Sequence, residues 1–552
     1  MIITLKDNKA YFTFFTEIER SRLVNALTWE DVNSGVVSSV LFEDELGLYS
    51  YQGVYKYLFR YYHNFNISVE GLLEQDPLNI ELDPNILDGI SLKDFQLEAI
   101  KAAIDKKVGI VVCPTSSGKT EIMLATFKTL LDAGEIDKGI FIVPSVQLLN
   151  NFHERALSRG IKAEDIGLIY GKKKEFKDKK LYIAIVNSFF SSLKKNLKEA
   201  LDLVSSLDFV AFDEGHHIKG MMSSDIFIRA NKATYNLCFT GSPFSGSSVT
   251  KNFGDSLVYC ITGGPIYEIG YDKVYESGLT AKPYYTFIPV AGRMHKNKAP
   301  YINIYNKYIL NNEERNKIAI NLINWLVSND VSVLILVQRL AHAHILMSML
   351  KTERAIAVFG GNTSITYYNG VIREQDIDYS LFKEDFKSGK YNIIIGSQVL
   401  DEGFDLSEIG SVLMLGGGKS RIKQVQRIGR GLRKKQSGKN VVYLFDFNDH
   451  SHVFLYSQAV KRKRVYDDIG IQGVLLEDMK KMIETDNSVI IKEDEDLFNR
   501  YKNISQRISN LKSIFLGCTL SNYRYKENKL ELEKLKFECE DAFNDSLKVF
   551  SK

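Results

Sequence analysis

The residues with the clearest capacity for chemistry are Gly118, Lys119 and Thr120, at the end of the run CPTSSGKT. The apolar residues 108–112 precede this run, and in residues 121–131 apolar side chains recur at helical spacing. The pattern predicts a turn between a buried strand and a helix. Such a turn directs several backbone N–H groups to one point, at the positive end of a helix dipole, and therefore favours phosphate.

This turn predicts a nucleoside triphosphate site. We expect Lys119 to reach the outer phosphates and the Thr120 hydroxyl to hold Mg²⁺. Cys113 stands where the pattern G-x-x-x-x-G-K-[ST] has its first glycine, but small residues at 114–117 meet the same steric need. A chance Gly-Lys-Thr at the start of a helix is the plain alternative, and the remaining motifs argue against it.

Two carboxylates, Asp213 and Glu214, follow the apolar run 208–212. An Asp at a strand end can hold magnesium through water opposite Thr120, and an adjacent Glu can orient and deprotonate the attacking water. A solvated turn is the common alternative for an Asp-Glu pair, but it is a poor one downstream of a phosphate turn. TGSP, at 240–243, ends the next strand, where its hydroxyls can sense the state of the nucleotide.

The elements that must position these residues alternate along the chain. Apolar runs at 139–143, 166–170, 181–186, 208–212 and 237–240 are separated by helical stretches in several places. This alternation is typical of a doubly wound parallel sheet, whose ligands bind at the carboxyl ends of the strands. PSVQ, NSFF, DEGH and TGSP each follow a strand, so we expect them to share one active edge.

A second sheet is predicted from apolar runs at 331–337, 355–359, 392–396, 411–415 and 440–445. It has no second Gly-Lys-Thr. Arg430 and Arg433, in QRIGRGLR, are three residues apart and share a face if they lie on a helix. Two guanidinium groups on one face favour an anion, so we expect the second lobe to close on the triphosphate held by the first. Between its second and third strands, Asn-Gly in NTSITYYNGVIRE predicts a hairpin of unassigned role.

Composition limits the remaining interpretations. The 552 residues, 45% hydrophobic and 25% charged, indicate a globular protein of three or four domains. The sequence shows no apolar run long enough to span a membrane and no signal pattern at its start. Five scattered cysteines indicate a reduced, cytosolic protein without structural zinc. The net charge is only +3, so nucleic acid must be bound by local patches such as 172–180 and 461–464.

The first residues predict a separate unit. YFTFF and VVSSVLF are typical of strands. Residues 52–62 are typical of a helix, and this segment is rich in Tyr and Phe. The mixture KYLFRYYH suits nucleic-acid binding by stacking and charge, but a core helix with solvated ends is the commoner outcome. The turn-rich stretch QDPLNIELDPN predicts a linker to the phosphate-binding part.

The ordered set Gln96, PTSSGKT, DEGH, TGSP, EGFD and QRIGRGLR resembles the superfamily-two helicases and translocases over residues 91 to about 465. Within that superfamily it looks most like the phage branch-migration helicases of the UvsW kind, with XPB-like translocases as relatives. The resemblance implies an α/β fold of two tandem RecA-like parallel-sheet lobes, with a small α+β N-terminal domain and a helical C-terminal tail. The implied divisions are an accessory, potentially DNA-binding domain at 1–85, lobe 1 at 91–290, lobe 2 at 310–465 and an extension at 470–552.

The resemblance also implies a role for each matching residue. Catalysis would fall to Lys119, to Glu214 as base, and to Arg430 and Arg433 as arginine fingers. ATP would be bound by Gln96, Pro114, Thr115, Ser116, Ser117, Gly118, Lys119, Thr120, Gly403 and Asp405, and Mg²⁺ by Thr120 and Asp213. Coupling of the lobes would involve His216, Thr240, Ser242 and Gln426. Nucleic acid would meet Pro144, Ser145, Asn187 and Ser188 in lobe 1 and Ser397 in lobe 2.

The sequence therefore predicts an ATP-driven DNA helicase or translocase for branched DNA, acting in recombination, repair or replication-fork remodelling. The expected partners are branched, forked or single-stranded DNA and recombination or replication proteins, with no membrane. The resemblance to the phage branch-migration helicases implies a phage protein working in the cytoplasm of a bacterial host. Two alternatives stay open: an RNA helicase of the same superfamily, and a nucleic-acid-stimulated ATPase switch or motor subunit that does not unwind.

Overall fold

The computed structural model describes residues 1–30, 36–71, 78–215, 221–244, 249–296, 298–359, 363–376, 379–396, 409–417 and 440–484. Seven of the predicted site residues lie outside these stretches: His216, Ser397, Gly403, Asp405, Gln426, Arg430 and Arg433. The predicted helical extension, 470–552, is described only as far as residue 484. No helix among the described residues is both long enough and apolar enough to cross a membrane.

The N-terminal part is a small α+β unit. Its elements are β1 (Ile2–Lys6), β2 (Lys9–Thr13), α1 (Glu17–Ala26), β3 (Thr28–Glu30), β4 (Val37–Ser39), β5 (Phe42–Asp44), β6 (Gly47–Tyr51), α2 (Val54–Tyr61) and β7 (Ser68–Glu70). Five of the strands form a sheet in the order β5-β6-β2-β1-β7, and β3 pairs with β4. The two predicted strands and the predicted helix correspond to β2, β4 and α2.

The described residues of lobe 1 are built on a sheet of eight strands. Its elements are α3 (Asp94–Lys106), β8 (Val108–Val112), α4 (Lys119–Asp132), β9 (Gly139–Val143), α5 (Val146–Ser158), β10 (Ile166–Tyr170), β11 (Lys173–Lys174), β12 (Leu181–Ile185), α6 (Val186–Lys194), α7 (Lys198–Val204), β13 (Phe209–Asp213), α8 (Met221–Arg229), β14 (Tyr235–Thr240), α9 (Phe253–Thr262), β15 (Pro265–Glu268) and α10 (Tyr271–Glu276). The strand order is β11-β10-β12-β9-β13-β14-β8-β15. All neighbours are parallel except the short β11, as the alternating pattern predicted.

In the part of lobe 2 that the structure describes, nine strands form one sheet. Its elements are β16 (Lys282–Val290), α11 (Tyr301–Tyr305), α12 (Glu313–Ser328), β17 (Val333–Leu336), α13 (Leu340–Leu350), β18 (Ala355–Phe359), β19 (Thr363–Tyr368), β20 (Val371–Asp376), α14 (Tyr379–Lys387), β21 (Ile393–Gly396), β22 (Ser411–Met414), β23 (Val441–Asp449), α15 (Val453–Asp468) and β24 (Gln472–Gly473). The strand order is β20-β19-β18-β21-β17-β22-β23-β16-β24. The last described helix is α16 (Leu476–Glu484). The predicted α/β fold with two tandem lobes is confirmed.

The N-terminal unit packs directly on lobe 1. The Asn8 amide nitrogen donates hydrogen bonds to the carbonyl oxygens of Phe227 at 3.2 Å and Ala230 at 2.6 Å, at the end of α8. The Trp29 indole N–H donates to the Thr250 carbonyl at 2.9 Å. Buried side chains of both parts belong to one hydrophobic cluster, so the unit shares its core with lobe 1.

The tyrosines of α2 take part in this shared core. The Tyr57 hydroxyl lies 3.1 Å from that of Ser256 on α9, and the Tyr57 and Tyr61 rings lie 5.8 and 5.4 Å from the Tyr259 ring. The Tyr57 ring is fully buried, so it cannot also stack on bases. The core-helix interpretation therefore holds for Tyr57, and this ring gives no support to nucleic-acid binding by α2.

The predicted end of lobe 1 at residue 290 is wrong. Strand β16 pairs in parallel along its whole length with β23, so it belongs to the second sheet. Pro283 and Pro289 concealed this strand in the sequence, because proline has no N–H to donate to a neighbouring strand. The sheet tolerates them because β24, on the other side of β16, pairs only with Tyr284 and Tyr285.

The predicted hairpin in lobe 2 is present as β19 and β20. Asn369 and Gly370 form its turn with positive φ angles of 48° and 82°, as a primed hairpin turn requires. Phe359, at the end of β18, pairs with Thr363, and the backbone N–H of Asn369 donates to the Glu353 carboxylate. The turn therefore lies near the start of β18, at the edge opposite the carboxyl ends of the parallel strands, and away from the edge where ligands of such sheets bind.

Candidate active site

The predicted ATP-site and nucleic-acid residues of lobe 1 share one edge of its sheet. Strands β12, β9, β13, β14 and β8 are consecutive neighbours and all run in parallel, so their carboxyl ends lie side by side. In that order they lead into residues 186–188, 144–145, 213–214, 240–242 and 113–120. The phosphate turn, the carboxylates and the candidate nucleic-acid residues therefore meet at one surface.

The Lys119 ammonium lies inside the phosphate turn. It donates to the carbonyl oxygens of Pro114 at 3.4 Å and Cys113 at 3.5 Å, and it lies 3.9 Å from a carboxylate oxygen of Glu214. Its side chain is almost buried, with 9% exposed. Phosphate oxygens bound in the turn would replace these weaker contacts, which are at the long limit for hydrogen bonds.

The turn has an unusual backbone. Ser116 has a φ angle of 68° and Gly118 one of 80°. Left-handed backbone is common for glycine but costs other L-residues about 1–2 kcal/mol. The Ser117 hydroxyl donates to the Pro114 carbonyl at 2.7 Å and fastens the turn. Burial raises the pKa of the Cys113 thiol to about 12, so this side chain is a neutral, small group at the first position of the turn.

We expect Ser116→Gly to be more stable than Ser116→Ala. Both variants lose the hydroxyl, but only alanine keeps a Cβ in the left-handed conformation, so the difference should be about 1 kcal/mol in favour of glycine. The melting temperatures of the two proteins would measure this order.

The matched pair is Ser191→Gly and Ser191→Ala, inside α6. There the order should reverse, because glycine costs about 1 kcal/mol relative to alanine within a helix. Equal melting temperatures for the two Ser116 variants would show that the turn is not strained at this residue.

Asp213 and Glu214 are held in a defined arrangement at the end of β13. An Asp213 carboxylate oxygen accepts a hydrogen bond from the Glu214 backbone N–H at 3.0 Å. Glu214 has a φ angle of 53°, again in the left-handed region. This conformation is uncommon for glutamate, and such outliers cluster at functional sites. The Glu214 carboxylate is thereby directed to the Lys119 ammonium, which is where an outer phosphate would lie.

Gln96 lies beneath the phosphate turn. Its side-chain nitrogen donates to the Ser117 carbonyl at 3.0 Å, and its side-chain oxygen accepts from the Lys93 backbone N–H at 2.9 Å, at the start of α3. These contacts join α3 to the turn. A Cβ on Gly118 would come within 2.4 Å of the Gln96 side-chain nitrogen, so this approach requires glycine at 118.

TGSP lies against the same turn. The Cys113 backbone N–H donates to the Thr240 carbonyl at 3.1 Å, and the Thr240 hydroxyl accepts from the Ser242 N–H at 3.2 Å. A Cβ on Gly241 would lie 3.3 Å from the Cys113 carbonyl oxygen. Movement of the phosphate turn would therefore displace the TGSP segment as well.

Sequence reasoning missed a partly buried ion pair behind the turn. Glu121, in the first turn of α4, accepts a hydrogen bond from the Arg155 guanidinium at 2.6 Å and lies 3.9 Å from the Arg159 guanidinium. Arg155 lies in the last turn of α5 and Arg159 directly follows the end of that helix, so these contacts join α4 to α5. The one available signal was an acid directly after Gly-Lys-Thr on a mostly buried helix.

The predicted nucleic-acid residues of lobe 1 lie at two neighbouring strand ends. Ser145 caps α5, and its hydroxyl accepts from the Leu148 N–H at 3.3 Å. The Ser188 hydroxyl accepts from the Gly171 N–H at 3.2 Å, and Asn187 is exposed beside it. Val143 and Ile185 pair across β9 and β12, which places Pro144 next to the start of α6.

One of the predicted basic patches includes a structural residue. In the run KRKR, Arg462 is buried and binds the Asp446 carboxylate through two nitrogens, at 2.7 and 2.9 Å. The Tyr466 hydroxyl donates to the same carboxylate at 2.6 Å. Arg462 therefore holds α15 on β23 and is not available to phosphate.

Family models match both lobes. Residues 89–245 match the family described as type III restriction enzyme, res subunit, and residues 314–435 match the helicase conserved C-terminal domain. The chain is 26% identical over 426 residues to a protein named DNA 3'-5' translocase XPB2 of Sulfurisphaera tokodaii, covering 71% of this chain and 89% of that protein. The chain is a superfamily-two helicase. As such an enzyme it hydrolyses ATP.

A viral protein is also related to this superfamily-two helicase. It is named as a helicase of a Sulfolobus islandicus filamentous virus, and it is 26% identical over 402 residues, covering 68% of this chain and 67% of that protein. The crystal structure of T4 UvsW aligns with 86% of this chain and 99% of its own, at 16% identity and a TM-score of 0.38.

Proposed function

We propose that this helicase uses ATP to move along DNA and to remodel branched DNA in recombination, repair or replication-fork processing. The observation that carries the proposal is the single edge of lobe 1. There the phosphate turn, the carboxylates and the two loops suited to a nucleic-acid backbone follow five neighbouring parallel strands. ATP hydrolysis and strand movement can be coupled at such an edge because their residues share the same rigid sheet.

DNA is favoured over RNA by the relative named as a DNA translocase, which aligns with most of both chains. A branched substrate is favoured by the motif series, which resembles that of phage branch-migration helicases. A viral origin agrees with the viral relative. We therefore infer a phage protein that works in the cytoplasm of its bacterial host, beside recombination or replication proteins.

The residues of lobe 1 divide the chemical work. The Thr120 hydroxyl and the Asp213 carboxylate are hard oxygen donors of the kind Mg²⁺ prefers, so they would hold the ion that accompanies ATP and neutralises its phosphates. Lys119 would bind the outer phosphates. Glu214, held beside Lys119, would orient the attacking water and take its proton.

Lobe 2 would complete the site. Arg430 and Arg433 would stabilise the charge that develops on the transferred phosphoryl group, and Gly403 and Asp405 would approach the phosphates and the ribose. His216 and Gln426 would couple the lobes. Closure on ATP and opening after hydrolysis would then advance the protein along a strand, with Ser397 contacting nucleic acid from lobe 2.

The proposal is tested by ATPase and strand-displacement assays with single-stranded, duplex, forked and four-way DNA and with single-stranded RNA. We expect forked or four-way DNA to stimulate hydrolysis about tenfold over duplex DNA, equivalent to lowering the activation free energy by about 1.4 kcal/mol. We also expect the branched substrates to be unwound or migrated.

Lys119→Ala protein, purified in parallel, would exclude a contaminating ATPase. Equal or greater stimulation by RNA would overturn the choice of DNA. Stimulated hydrolysis without any strand displacement or branch migration would support an ATPase switch instead.

A further inference from the structure

A groove on lobe 2 combines positive charge with an exposed aromatic ring. Its walls include Lys296, Lys298 and Pro300 from the segment after β16, and His452, Phe454 and Ser457 from the start of α15. The groove has a volume of about 690 Å³ and is open to solvent. It contains none of the residues to which the motif series assigns a role.

Both walls come from stretches without acidic residues. Residues 277–312 contain five lysines and arginines and no Asp or Glu, although Asp and Glu make up 68 of the 552 residues. Residues 450–466 also contain no acid. Asp449, next to the second stretch, is buried and bound to the Arg315 guanidinium at 2.8 Å. The local charge of the groove is therefore positive even though the whole chain is nearly neutral.

The aromatic wall is connected to the carboxyl ends of the lobe 2 strands. The Phe454 ring lies 5.7 Å from the Tyr301 ring, and the Tyr301 hydroxyl donates to the Gln338 side chain at 3.3 Å. Gln338 follows β17 and donates in turn to the carbonyl of Gly417, which follows β22. The groove thus lies at the same edge of lobe 2 as the strand ends, where ligands of parallel sheets bind.

The lysines must supply the contact to an anion. The N–H groups of Val453 and Phe454, at the start of α15, already donate to the His295 carbonyl and the His452 imidazole, at 3.0 and 3.1 Å. The helix dipole still adds a positive potential at this end. Phe454 is 37% exposed, and Lys296 and Lys298 are exposed, so ring and ammonium groups can all be reached from solvent.

We propose that this groove binds single-stranded DNA, with the backbone phosphates against Lys296 and Lys298 and a base stacked on Phe454. Basic grooves with aromatic platforms bind single strands without sequence preference, as a moving enzyme requires. The inference rests on the proposed action on DNA, for which it supplies a contact surface on lobe 2. Charge complementarity selects the occupant, because a neutral or basic partner would not gain from two ammonium groups that have no carboxylate partner among the described residues.

The test measures binding of a fluorescent oligothymidylate by the full-length protein over a range of salt concentrations. For the double variant Lys296→Ala/Lys298→Ala we expect the slope of log affinity against log salt to become less negative by about 1.4, since each phosphate contact on a single strand contributes about 0.7. For Phe454→Ala we expect affinity to fall at least about fivefold, the lower range for loss of one stacked base. ATP hydrolysis without DNA should be unchanged in both.

The matched control is Lys351→Ala/Lys390→Ala, which removes the same charge beside the starts of β18 and β21, at the opposite edge of the lobe 2 sheet. It should keep the wild-type salt slope. Wild-type slope and affinity in both groove variants, with DNA still bound and stimulating hydrolysis, would overturn the groove but leave the proposed function standing. No DNA binding or stimulation in the wild-type protein would overturn both.

Discussion

Replacing Glu214 by glutamine should reduce ATP hydrolysis about 10²–10⁴-fold, the usual contribution of a general base, while ATP still binds. Glutamine keeps the size of the side chain and has the same backbone cost at a φ of 53°, so the change is limited to the proton acceptor. The amide also removes a charge that lies 3.9 Å from Lys119. Because that carboxylate competes with phosphate for the ammonium group, ATP affinity should be equal to or higher than that of the wild type.

Single-turnover hydrolysis with saturating DNA and binding of a fluorescent ATP analogue separate these two effects. The matched control is Glu199→Gln, since Glu199 is a half-exposed surface residue paired with Lys177. It should behave as the wild type. If Glu214→Gln protein hydrolyses ATP at the wild-type rate, another group activates the water, and Asp213 becomes the next residue to test.

Lys119→Ala should lower the rate of hydrolysis by about 10²–10³-fold and also weaken ATP binding. The ammonium group is enclosed by the turn, with two backbone carbonyls at 3.4 and 3.5 Å, so it already lies where the phosphates must enter. Within the turn, its removal leaves only the backbone N–H groups and the helix dipole of α4 to face the developing negative charge.

Lys128→Ala is the matched control, because Lys128 lies on the same helix and forms an exposed ion pair with Asp132. ATP turnover by the two variants, with DNA in excess, provides the comparison. Loss of activity in both would point to damage to α4, and full activity in Lys119→Ala protein would remove this lysine from the chemistry.

The parallel sheets could be predicted from the sequence to a large extent. Predicted runs 139–143, 166–170 and 355–359 coincide with β9, β10 and β18. Strands of this kind are covered on both faces, so they appear as short continuous apolar runs that are easily located. The same reasoning predicted that PSVQ, NSFF, DEGH and TGSP lie at one edge of the lobe 1 sheet, because parallel strands bring their carboxyl ends together.

The features that were missed depend on contacts between distant residues. The prolines of β16 look unsuitable for a strand until its partners show which N–H groups are needed. The pairing of Glu121 with Arg155 joins two helices, and an acid directly after Gly-Lys-Thr does not by itself show which residue of another helix it meets. The left-handed backbone of Ser116 could not be predicted from the sequence either, because serine rarely adopts that conformation.

The position of β16 has a consequence for how the chain folds as it is made. This strand is synthesised 159 residues before β23, the partner to which all nine of its residues pair, since Lys282 lies opposite Val441. At typical rates of synthesis, β16 therefore waits roughly 10–30 s for its neighbour. During that time β16 has no β23 to pair with. Three of its side chains that are buried in the finished sheet therefore stay exposed: Tyr284, Tyr285 and Ile288.

Lobe 1, whose strands are all complete by residue 268, can fold during this interval. Lobe 2 cannot close its sheet until residue 449 has left the ribosome. If synthesis stops between residues 290 and 441, the chain would have a folded lobe 1 followed by β16, an apolar strand without its partner β23. Such a fragment would expose an unpaired strand edge and apolar surface, which promote aggregation and binding by chaperones.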